Sequence, residues 1–211
     1  MDTNRQAVAV FNKLADLYQE RFMDVNMHDA DLRFFCTALN KDKAQILDIA
    51  CGPGNVSRFL LSLQPELNLW GIDLAPRMIE LAKTNNPTAR FSVMDSRKIF
   101  EITEKQDAVV CAFGLPYLNQ NECAKLIEDI SNLLHPEGLV YLSTMEDDYV
   151  KSGPQKGSTG DEIVMHFYQS SDLKTQLLKN NLSPIYENRV YSEGKDGQTV
   201  CDLILIAKKA Q

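Results

Sequence analysis

Apolar and polar positions along the chain follow two rhythms, one typical of buried strands and one typical of amphipathic helices. Short runs rich in apolar residues predict strands at about 46–49, 67–73, 91–93, 107–113 and 139–142. Such runs suit strands that are covered on both faces, as in a parallel sheet between helices. Between them, apolar residues spaced three or four apart predict helices, of which 122–134 is the clearest. This alternation predicts a doubly wound α/β fold with a mostly parallel sheet.

The two ends of the chain depart from this alternation. Before the first strand, apolar residues at helical spacing predict two helices, one through Tyr18 and one that starts near Asp29. After the last parallel strand, two further strands are predicted at about 184–191 and 199–207, around a Gly-Lys-Asp-Gly turn at 194–197. A glycine-containing turn between two strands predicts an antiparallel hairpin at the end of the sheet.

Residues 146–162 differ in composition from the rest of the chain, with three consecutive acids followed by several glycines. We interpret them as a flexible loop at the carboxyl edge of the sheet, where open α/β folds bind their ligands. Alternating side chains at 163–168 predict an extended segment. Ser170 or Ser171, with Asp172 in the first turn, predicts the cap of a further helix.

The most informative segment is 46–54, which reads Ile-Leu-Asp-Ile-Ala-Cys-Gly-Pro-Gly. Gly52 and Gly54 lack a Cβ, so the backbone there can turn sharply and approach a ligand closely. A helical pattern follows at once. Asp73 ends the second predicted strand, where a carboxylate can accept two hydrogen bonds from a ribose diol. Nicotinamide dinucleotides and S-adenosylmethionine both fit this arrangement.

A second acid distinguishes these two cofactors. Asp48 lies just before the glycine loop. A pyrophosphate requires backbone amides without a neighbouring anion, whereas S-adenosylmethionine carries an α-ammonium and a sulfonium group, which an acid attracts. The antiparallel hairpin also differs from a nicotinamide-binding domain, which would finish with another parallel unit. S-adenosylmethionine is therefore the predicted cofactor.

With these residues the chain resembles the class I S-adenosylmethionine-dependent methyltransferases. Five elements between about residues 46 and 145 match the family in order, and Ala50 stands where glycine is commoner. The resemblance implies methyl transfer, and a seven-stranded sheet whose last strand lies between strands 5 and 6. It also implies a set of cofactor-binding residues: Tyr18, Asp48, Ala50, Gly52, Gly54, Asp73, Leu74, Met78, Asp95, Ser96, Ala112 and Phe113.

The resemblance also divides the chain, as a single domain of 1–211, into four parts. Residues 1–42 are expected to form a helical cover over the cofactor, and 43–145 the core that binds it. Residues 146–170 are expected to form an insertion on the substrate side, and 171–211 a helix and the terminal hairpin.

Composition and charge narrow the class of substrate. The length of 211 residues suits one α/β domain. A net charge of −7, with no basic stripe, disfavours a nucleic acid substrate. No segment suits a membrane span and the N-terminus lacks a signal-peptide pattern, so we expect a cytoplasmic protein. Five widely spaced cysteines without a CxxC pair indicate neither a disulfide framework nor a metal site.

No decisive motif identifies the methyl acceptor, which we expect to be a small molecule. Methyl transfer from a sulfonium depends mainly on alignment of the nucleophile, methyl group and sulfur, so no catalytic residue is assigned. Tyr117 after strand 4, Glu146 after strand 5 and His166 on the extended segment are candidate acceptor-binding residues. Two alternatives stay open, a non-catalytic module that binds the cofactor and a nicotinamide-dependent oxidoreductase.

Overall fold

A computed structural model of the protein describes residues 3–157, 159–194 and 197–211. Met1, Asp2, Ser158 of the predicted loop, and Lys195 and Asp196 of the predicted turn lie outside the described residues. The α-helices of the described chain are α1 (Thr3–Phe22), α2 (Asp29–Leu39), α3 (Asn55–Leu63), α4 (Pro76–Asn85), α5 (Gln120–Leu133) and α6 (Ser170–Lys179). Its strands are β1 (Gln45–Ile49), β2 (Asn68–Asp73), β3 (Arg90–Val93), β4 (Gln106–Ala112), β5 (Leu134–Met145), β6 (Gly153–Lys156), β7 (Glu162–Met165), β8 (Leu182–Glu193) and β9 (Thr199–Lys209). Within the described ranges, no helix has both the length and the apolar character needed to cross a membrane.

Seven of the strands form one sheet in the order β3-β2-β1-β4-β5-β9-β8. The first five run parallel to one another, and β9 runs antiparallel to both β5 and β8. The predicted seven-stranded α/β fold is therefore confirmed, including the insertion of the last strand between its two neighbours. Both strands of the terminal hairpin are longer than predicted.

Buried side chains cover both faces of this sheet, which explains the unbroken apolar runs in the sequence. Neighbouring residues of a strand point to opposite faces. Ile46 and Leu47 of β1 accordingly belong to different buried clusters, and Val109 and Val110 of β4 divide in the same way. One cluster includes residues of α5 and α6, and the other includes residues of α2 and α3. Close packing on both faces makes the central strands a rigid support for the loops that follow them.

The helix ends follow local capping rules, with one departure from the prediction. α4 begins at Pro76, whose missing N–H would have no partner within the helix at this position. Asn119 caps α5, because its side chain accepts hydrogen bonds from two backbone N–H groups of the first turn. α5 ends at Leu133, one residue before the predicted end, and β5 follows without a loop. A register shift against β4 and a φ of 64° at Glu137 mark a bulge there.

The segment predicted as a flexible loop at 146–162 is partly ordered, which corrects that prediction. β6 and β7 form an antiparallel hairpin whose backbone groups pair with each other. The predicted extended segment at 163–168 begins in β7. Neither predicted serine is the N-cap of α6, since Gln169 occupies that position and the Ser170 hydroxyl donates to Glu187 Oε1 (2.8 Å).

α1 lies over the carboxyl edge of the sheet and is held there from two sides. On α4, the Arg77 N–H donates to Asn12 Oδ1 (3.0 Å), and the Arg77 guanidinium pairs with Asp16 (2.9 Å). On the β6–β7 hairpin, Asp161 pairs with Lys13 (2.8 Å). The insertion after β5 therefore contacts the N-terminal helix, and this contact connects two parts of the chain that are distant in sequence.

Candidate active site

The order of strands reverses between β1 and β4, and a crevice opens outside the carboxyl ends of the strands at this point. Open α/β sheets bind their ligands in such a crevice. Two adjoining cavities occupy it. The first is walled by α1 and by the loops after β1, β2, β3 and β4. The second is walled by the loops after β1 and β4, by the segment between α1 and α2, and by β5, β8 and β9.

The loop after β1 turns sharply at three residues with positive φ, Ala50 (54°), Gly52 (53°) and Gly54 (78°). Gly52 lies in the wall of both cavities, and a Cβ there would lie 3.8 Å from the Tyr18 ring. Gly54 lies outside both walls and faces the end of α4, where a Cβ would clash with the Asn86 amide. This glycine permits the loop to pack against α4, and its contact with the cofactor stays a prediction.

Asp73 is held at the end of β2 by backbone N–H groups. The Gly52 N–H donates to its Oδ2 (2.9 Å), and the Ala75 N–H donates to its Oδ1 (2.8 Å). Burial raises the pKa of Asp73, and hydrogen bonds from the Ala75, Gly52 and Leu74 amides oppose this rise. The carboxylate lies in the wall of the first cavity. Because each carboxylate oxygen has a second lone pair, both can accept a further hydrogen bond from a ligand diol.

Asp48 lies behind the loop and outside the walls of both cavities. It is 1% exposed, and the Ser57 hydroxyl donates to its Oδ2 (2.6 Å). Burial raises the pKa of Asp48 to about 7; the nearby charge of Asp73 adds to the rise, and the Ser57 hydrogen bond opposes it. The side chain supports the loop from within the core, and a direct contact of Asp48 with the cofactor stays a prediction.

The loop after β4 carries Phe113 into the wall that the two cavities share. Phe113 has a φ of 54°, which is uncommon for a residue with a side chain. Its N–H donates to the backbone oxygen of Ser143 (3.0 Å) and to Ser143 Oγ (3.2 Å). Gly114 lets the loops after β1 and β4 approach each other, since a Cβ there would lie 2.7 Å from Cys111 Sγ and 3.1 Å from Ala50 Cβ. These contacts hold the backbone of Phe113 in place.

Aromatic side chains close the first cavity on the side of α1. Phe11 packs edge-to-face against Tyr18 of the same helix (ring centroids 5.9 Å apart) and against Tyr117 after β4 (5.1 Å). Burial, together with the charge of Asp73, raises the pKa of Tyr18 to about 12. Burial also raises the pKa of Tyr117. Both phenols are therefore neutral near pH 7 and can donate hydrogen bonds to a ligand.

The first cavity brings together most of the residues predicted to bind the cofactor. Those in its wall are Tyr18, Ala50, Gly52, Asp73, Leu74, Met78, Asp95, Ser96, Ala112 and Phe113. Further wall residues were not predicted from the sequence, namely Asn4, Ala7, Val8, Phe11, Ala75, Met94, Gly114 and Leu118. Those on α1 belong to no motif, and the helical spacing of Val8 and Phe11 was the only signal that they share a face.

Asp95 follows β3 and caps the short helical turn at Ser96–Glu101, since its side chain accepts from the Arg97 N–H (2.9 Å). The Arg97 guanidinium also pairs with Asp95 (2.7 Å) and with Glu122 (3.1 Å). Arg97 therefore orients the carboxylate in the wall of the first cavity. A contact of Asp95 with an adenine amino group stays a prediction.

The second cavity has a volume of about 380 Å³, which is within the range of small-molecule sites. Six residues belong to the walls of both cavities: Tyr18, Ala50, Gly52, Ala112, Phe113 and Tyr117. Ligands bound in the two cavities would therefore meet at this shared wall. Tyr117, a predicted acceptor-binding residue, lies at that meeting point.

The other two predicted acceptor-binding residues lie outside both cavity walls, and their contact with an acceptor stays a prediction. Glu146 forms an ion pair with Arg189, whose NH2 group donates to Glu146 Oε1 (2.9 Å). This ion pair links the residue after β5 to β8. His166 stacks on Tyr149 (ring centroids 5.8 Å apart), and its Nδ1 lies 3.3 Å from the Tyr149 hydroxyl. Burial lowers the pKa of His166, and its backbone N–H donates to the Pro116 oxygen (2.7 Å), a residue of the second cavity wall.

Thiols near the cavities show no sign of nucleophilic activation. Burial raises the pKa of Cys51, which lines the second cavity, well above the usual range of a thiol, and raises that of Cys111 to about 12. Both side chains are therefore protonated at neutral pH. Over the described ranges, no group of three or more His, Cys, Asp or Glu side chains could hold a metal ion.

Part of the chain is similar to known methyltransferases. Residues 46–138 match the family described as "Methyltransferase domain". A putative methyltransferase 235L from Invertebrate iridescent virus 6 is 32% identical over 107 residues, which are 50% of this chain and 39% of that protein. A demethylmenaquinone methyltransferase from Thermotoga maritima is 25% identical over 139 residues, which are 64% of this chain and 60% of that protein. The chain therefore spans less than two thirds of the length of these two relatives.

The fold also matches solved structures over almost the whole chain. The magnesium protoporphyrin IX methyltransferase from Synechocystis PCC 6803 with bound S-adenosylhomocysteine has a TM-score of 0.74 and 16% identity, with 99% of this chain and 100% of that chain covered. At this identity the likeness shows the fold, and the match at residues 46–138 adds the glycine loop and the strands around it. The chain thus shares the class I methyltransferase fold over almost its whole length, and residues 46–138 are similar to methyltransferase domains, in agreement with the resemblance seen in the sequence.

Proposed function

We propose that the protein transfers a methyl group from S-adenosylmethionine to a small-molecule acceptor bound in the second cavity. One observation carries this proposal: two cavities share a wall of six residues, and the first contains ten of the twelve residues that the family resemblance assigns to the cofactor, namely Tyr18, Ala50, Gly52, Asp73, Leu74, Met78, Asp95, Ser96, Ala112 and Phe113. A cofactor in the first cavity would reach an acceptor in the second without crossing bulk water.

The residues of the first cavity fit the chemistry of this cofactor. The fixed carboxylate of Asp73 would accept hydrogen bonds from the ribose diol, and Met78 and Leu74 would pack against the adenine. The sharp turn at Gly52 and the phenol of Tyr18 lie in the shared wall and would border the methionine part. These assignments support binding with the sulfonium end toward the second cavity.

The protein's task in such a reaction is alignment. The cofactor supplies a good, neutral leaving group, so rate enhancement depends on holding the nucleophile in line with the methyl group and on excluding water. The aromatic side chains of α1 border the first cavity, and α1 is attached to α4 and to the β6–β7 hairpin. This arrangement supports the proposed role of the N-terminal segment as a cover.

A small molecule is the acceptor class that the observations favour. The net charge is −7, and nucleic acid binding depends on Lys and Arg side chains that neutralise phosphates. The second cavity is an enclosed site of small-molecule size with mostly apolar walls. One relative is named for a small-molecule substrate, demethylmenaquinone. We also expect the protein to be cytoplasmic, as its sequence predicts.

Titration calorimetry tests this function. We expect S-adenosylmethionine and S-adenosylhomocysteine to bind with micromolar Kd and NADH to produce no heat. A folded protein that binds neither adenosyl ligand would refute the proposal, and binding of NADH would favour an oxidoreductase. Turnover is then measured with methyl-labelled S-adenosylmethionine and a broad acceptor panel. Cofactor binding without transfer to any acceptor would favour a non-catalytic binding module.

A further inference from the structure

The wall of the second cavity combines aromatic rings with carboxylates. Phe22, Tyr141 and Met145 contribute apolar surface, and Asp24 and Asp202 contribute negative charge. Among the described residues of this wall, none is a lysine or an arginine. A bound carboxylate would therefore lack a cationic partner and would face two acids. An uncharged or cationic aromatic molecule meets no such penalty and can pack against the rings.

His28 lies in the same wall, at the end of the short helical turn Asn26–His28. Its ring packs against Phe113, a residue of the wall shared with the first cavity, with ring centroids 5.5 Å apart. Asp31 Oδ2 lies 3.7 Å from His28 Nδ1, and Asp202 Oδ2 lies 3.7 Å from His28 Nε2. Both separations exceed a hydrogen bond. The imidazole therefore lies between two carboxylates. The ring of Phe113, against which it packs, belongs to the shared wall, where the methyl group would be transferred.

Asp31 is anchored on its other side. It is 1% exposed, and its Oδ1 accepts hydrogen bonds from the Tyr186 hydroxyl and the Asn188 amide, both at 2.8 Å. Its Oδ2 is thereby directed toward His28. The Nδ1 atom of His28 is buried without a hydrogen-bond partner in the described structure, and Asp31 is the carboxylate on that side. Asp31 is therefore placed to stabilise a positive charge on the imidazole through space, without a hydrogen bond to it.

We infer that His28 is the general base of methyl transfer, and that the acceptor is an apolar molecule with an O–H or N–H nucleophile and no carboxylate. This inference rests on the proposed function. Asp31 lies outside the second cavity and Asp202 lies in its wall, so Nδ1 faces the core and Nε2 faces the acceptor. The electron pair of the nucleophile forms the bond to the methyl carbon, and the C–S bond breaks with its electrons on sulfur. His28 Nε2 takes the proton of the nucleophile and later releases it to solvent.

The titratable groups around His28 come from several elements of the fold. Burial raises the pKa of Tyr141 and of Asp202, and it raises the pKa of Tyr186 to about 12. The phenols therefore stay neutral near pH 7. The groups to be considered in any pH profile are Asp24 after α1, Asp31 on α2, Tyr141 on β5, Tyr186 on β8 and Asp202 on β9.

The acceptor class is tested with three aromatic probes that differ in the reacting group: catechol, 2-phenylethylamine and 3-phenylpropanoate. Each is incubated with the protein and methyl-labelled S-adenosylmethionine. We expect transfer to catechol or to the amine at a rate about tenfold or more above that to the carboxylate. Equal or faster transfer to the carboxylate, or transfer to none of the three, would overturn the assigned acceptor class.

The role of His28 is tested on the probe with the highest rate. The variant His28→Gln should lower kcat by about 10²- to 10⁴-fold, keep the Kd for S-adenosylhomocysteine within about twofold, and lose the rise of kcat with pH. His135→Gln is the matched control, because His135 is exposed at the start of β5 and lies outside both cavity walls. Asp31→Asn should lower kcat less than His28→Gln does.

The outcomes separate the two proposals. If His28→Gln keeps the kcat and pH profile of the wild type while S-adenosylhomocysteine still binds, the inference about His28 is overturned and the proposed function stands. If the wild-type protein does not bind S-adenosylhomocysteine, the proposed function itself is refuted. A fall in kcat with an unchanged KM and an unchanged Kd for S-adenosylhomocysteine supports the general base, because a merely structural role would also alter binding.

Discussion

The variant Asp73→Asn gives the sharpest test of the cofactor site, because it changes charge and hydrogen bonding with almost no change in shape. In the wild type, one carboxylate oxygen accepts from the Gly52 N–H (2.9 Å) and the other from the Ala75 N–H (2.8 Å). An asparagine amide has one oxygen, so its nitrogen must face one of these two donors. The variant therefore loses an acceptor toward the backbone and an acceptor toward the ribose.

The expected loss follows from the number of charged hydrogen bonds. A hydrogen bond to a charged group contributes about 1.5–3 kcal/mol, and the ribose would lose one such bond and keep a weaker neutral one. We therefore expect a loss of about 3 kcal/mol in the binding of S-adenosylhomocysteine, equivalent to about a hundredfold increase in Kd. Titration calorimetry of both proteins at the same pH measures this difference directly.

Asp42→Asn is the matched control, since it makes the same chemical change at an exposed residue before β1, outside both cavity walls. This control should bind S-adenosylhomocysteine with the wild-type Kd. Circular dichroism establishes that each variant is folded before the titration. A folded Asp73→Asn protein whose Kd stays within about twofold of the wild type would refute the assignment of Asp73 to the ribose.

Three further predictions concern residues that support the site. Burial raises the pKa of Asp48 to about 7, whereas the unfolded chain loses this proton near pH 4. The tighter binding of the proton by the folded protein stabilises the fold below pH 4, and this stabilisation is lost as the pH rises through 7. Asp48→Asn, which cannot lose the proton, should therefore raise Tm by about 3 °C or more at pH 8, with no gain at pH 4, in thermal scans at both values. Gly54→Ala should lower the free energy of unfolding in urea by about 2 kcal/mol or more, because the added Cβ clashes with the Asn86 amide at a positive φ; an unchanged urea midpoint would contradict this. Glu146→Gln should lower Tm by weakening the pair with Arg189, and calorimetry should show an unchanged Kd for S-adenosylhomocysteine; an unchanged Tm would contradict the stabilising role of this pair.

The fold was largely predictable because its signals are local. Strands covered on both faces require unbroken apolar runs, and β1 and β4 show such runs in the sequence. The terminal hairpin gave a similar signal through its turn. The insertion after β5 was misread as a flexible loop, because its acids and glycines are also typical of the polar hairpin that β6 and β7 form.

The site was predictable only in part, because a residue type at the right spacing does not determine which way its side chain faces. Asp73 is the last residue of β2, and Asp48 is next to the last residue of β1. Nevertheless, Asp73 lies in the cavity wall and Asp48 lies in the core. Gly54 follows the same motif as Gly52 but serves packing against α4. These differences depend on φ values and on contacts with a distant helix.

His28 could not be predicted as a site residue, because the sequence around it carries no local signal. It follows no motif, and nothing in the sequence around it differs from the surroundings of an ordinary surface histidine. Its two carboxylate neighbours, Asp31 and Asp202, come from α2 and from the last strand of the sheet. Only the insertion of β9 between β5 and β8 brings these groups together.

The wall that the two cavities share has a consequence for inhibitor design. Phe113 and Tyr117 border both cavities, so a single molecule can place an adenosyl group in one cavity and an aromatic amine in the other. Joining the two parts makes the second contact intramolecular, and the affinity of such a bisubstrate ligand then depends on an effective concentration set by the linker. A short linker is expected to suit this geometry, because the two cavities have six wall residues in common.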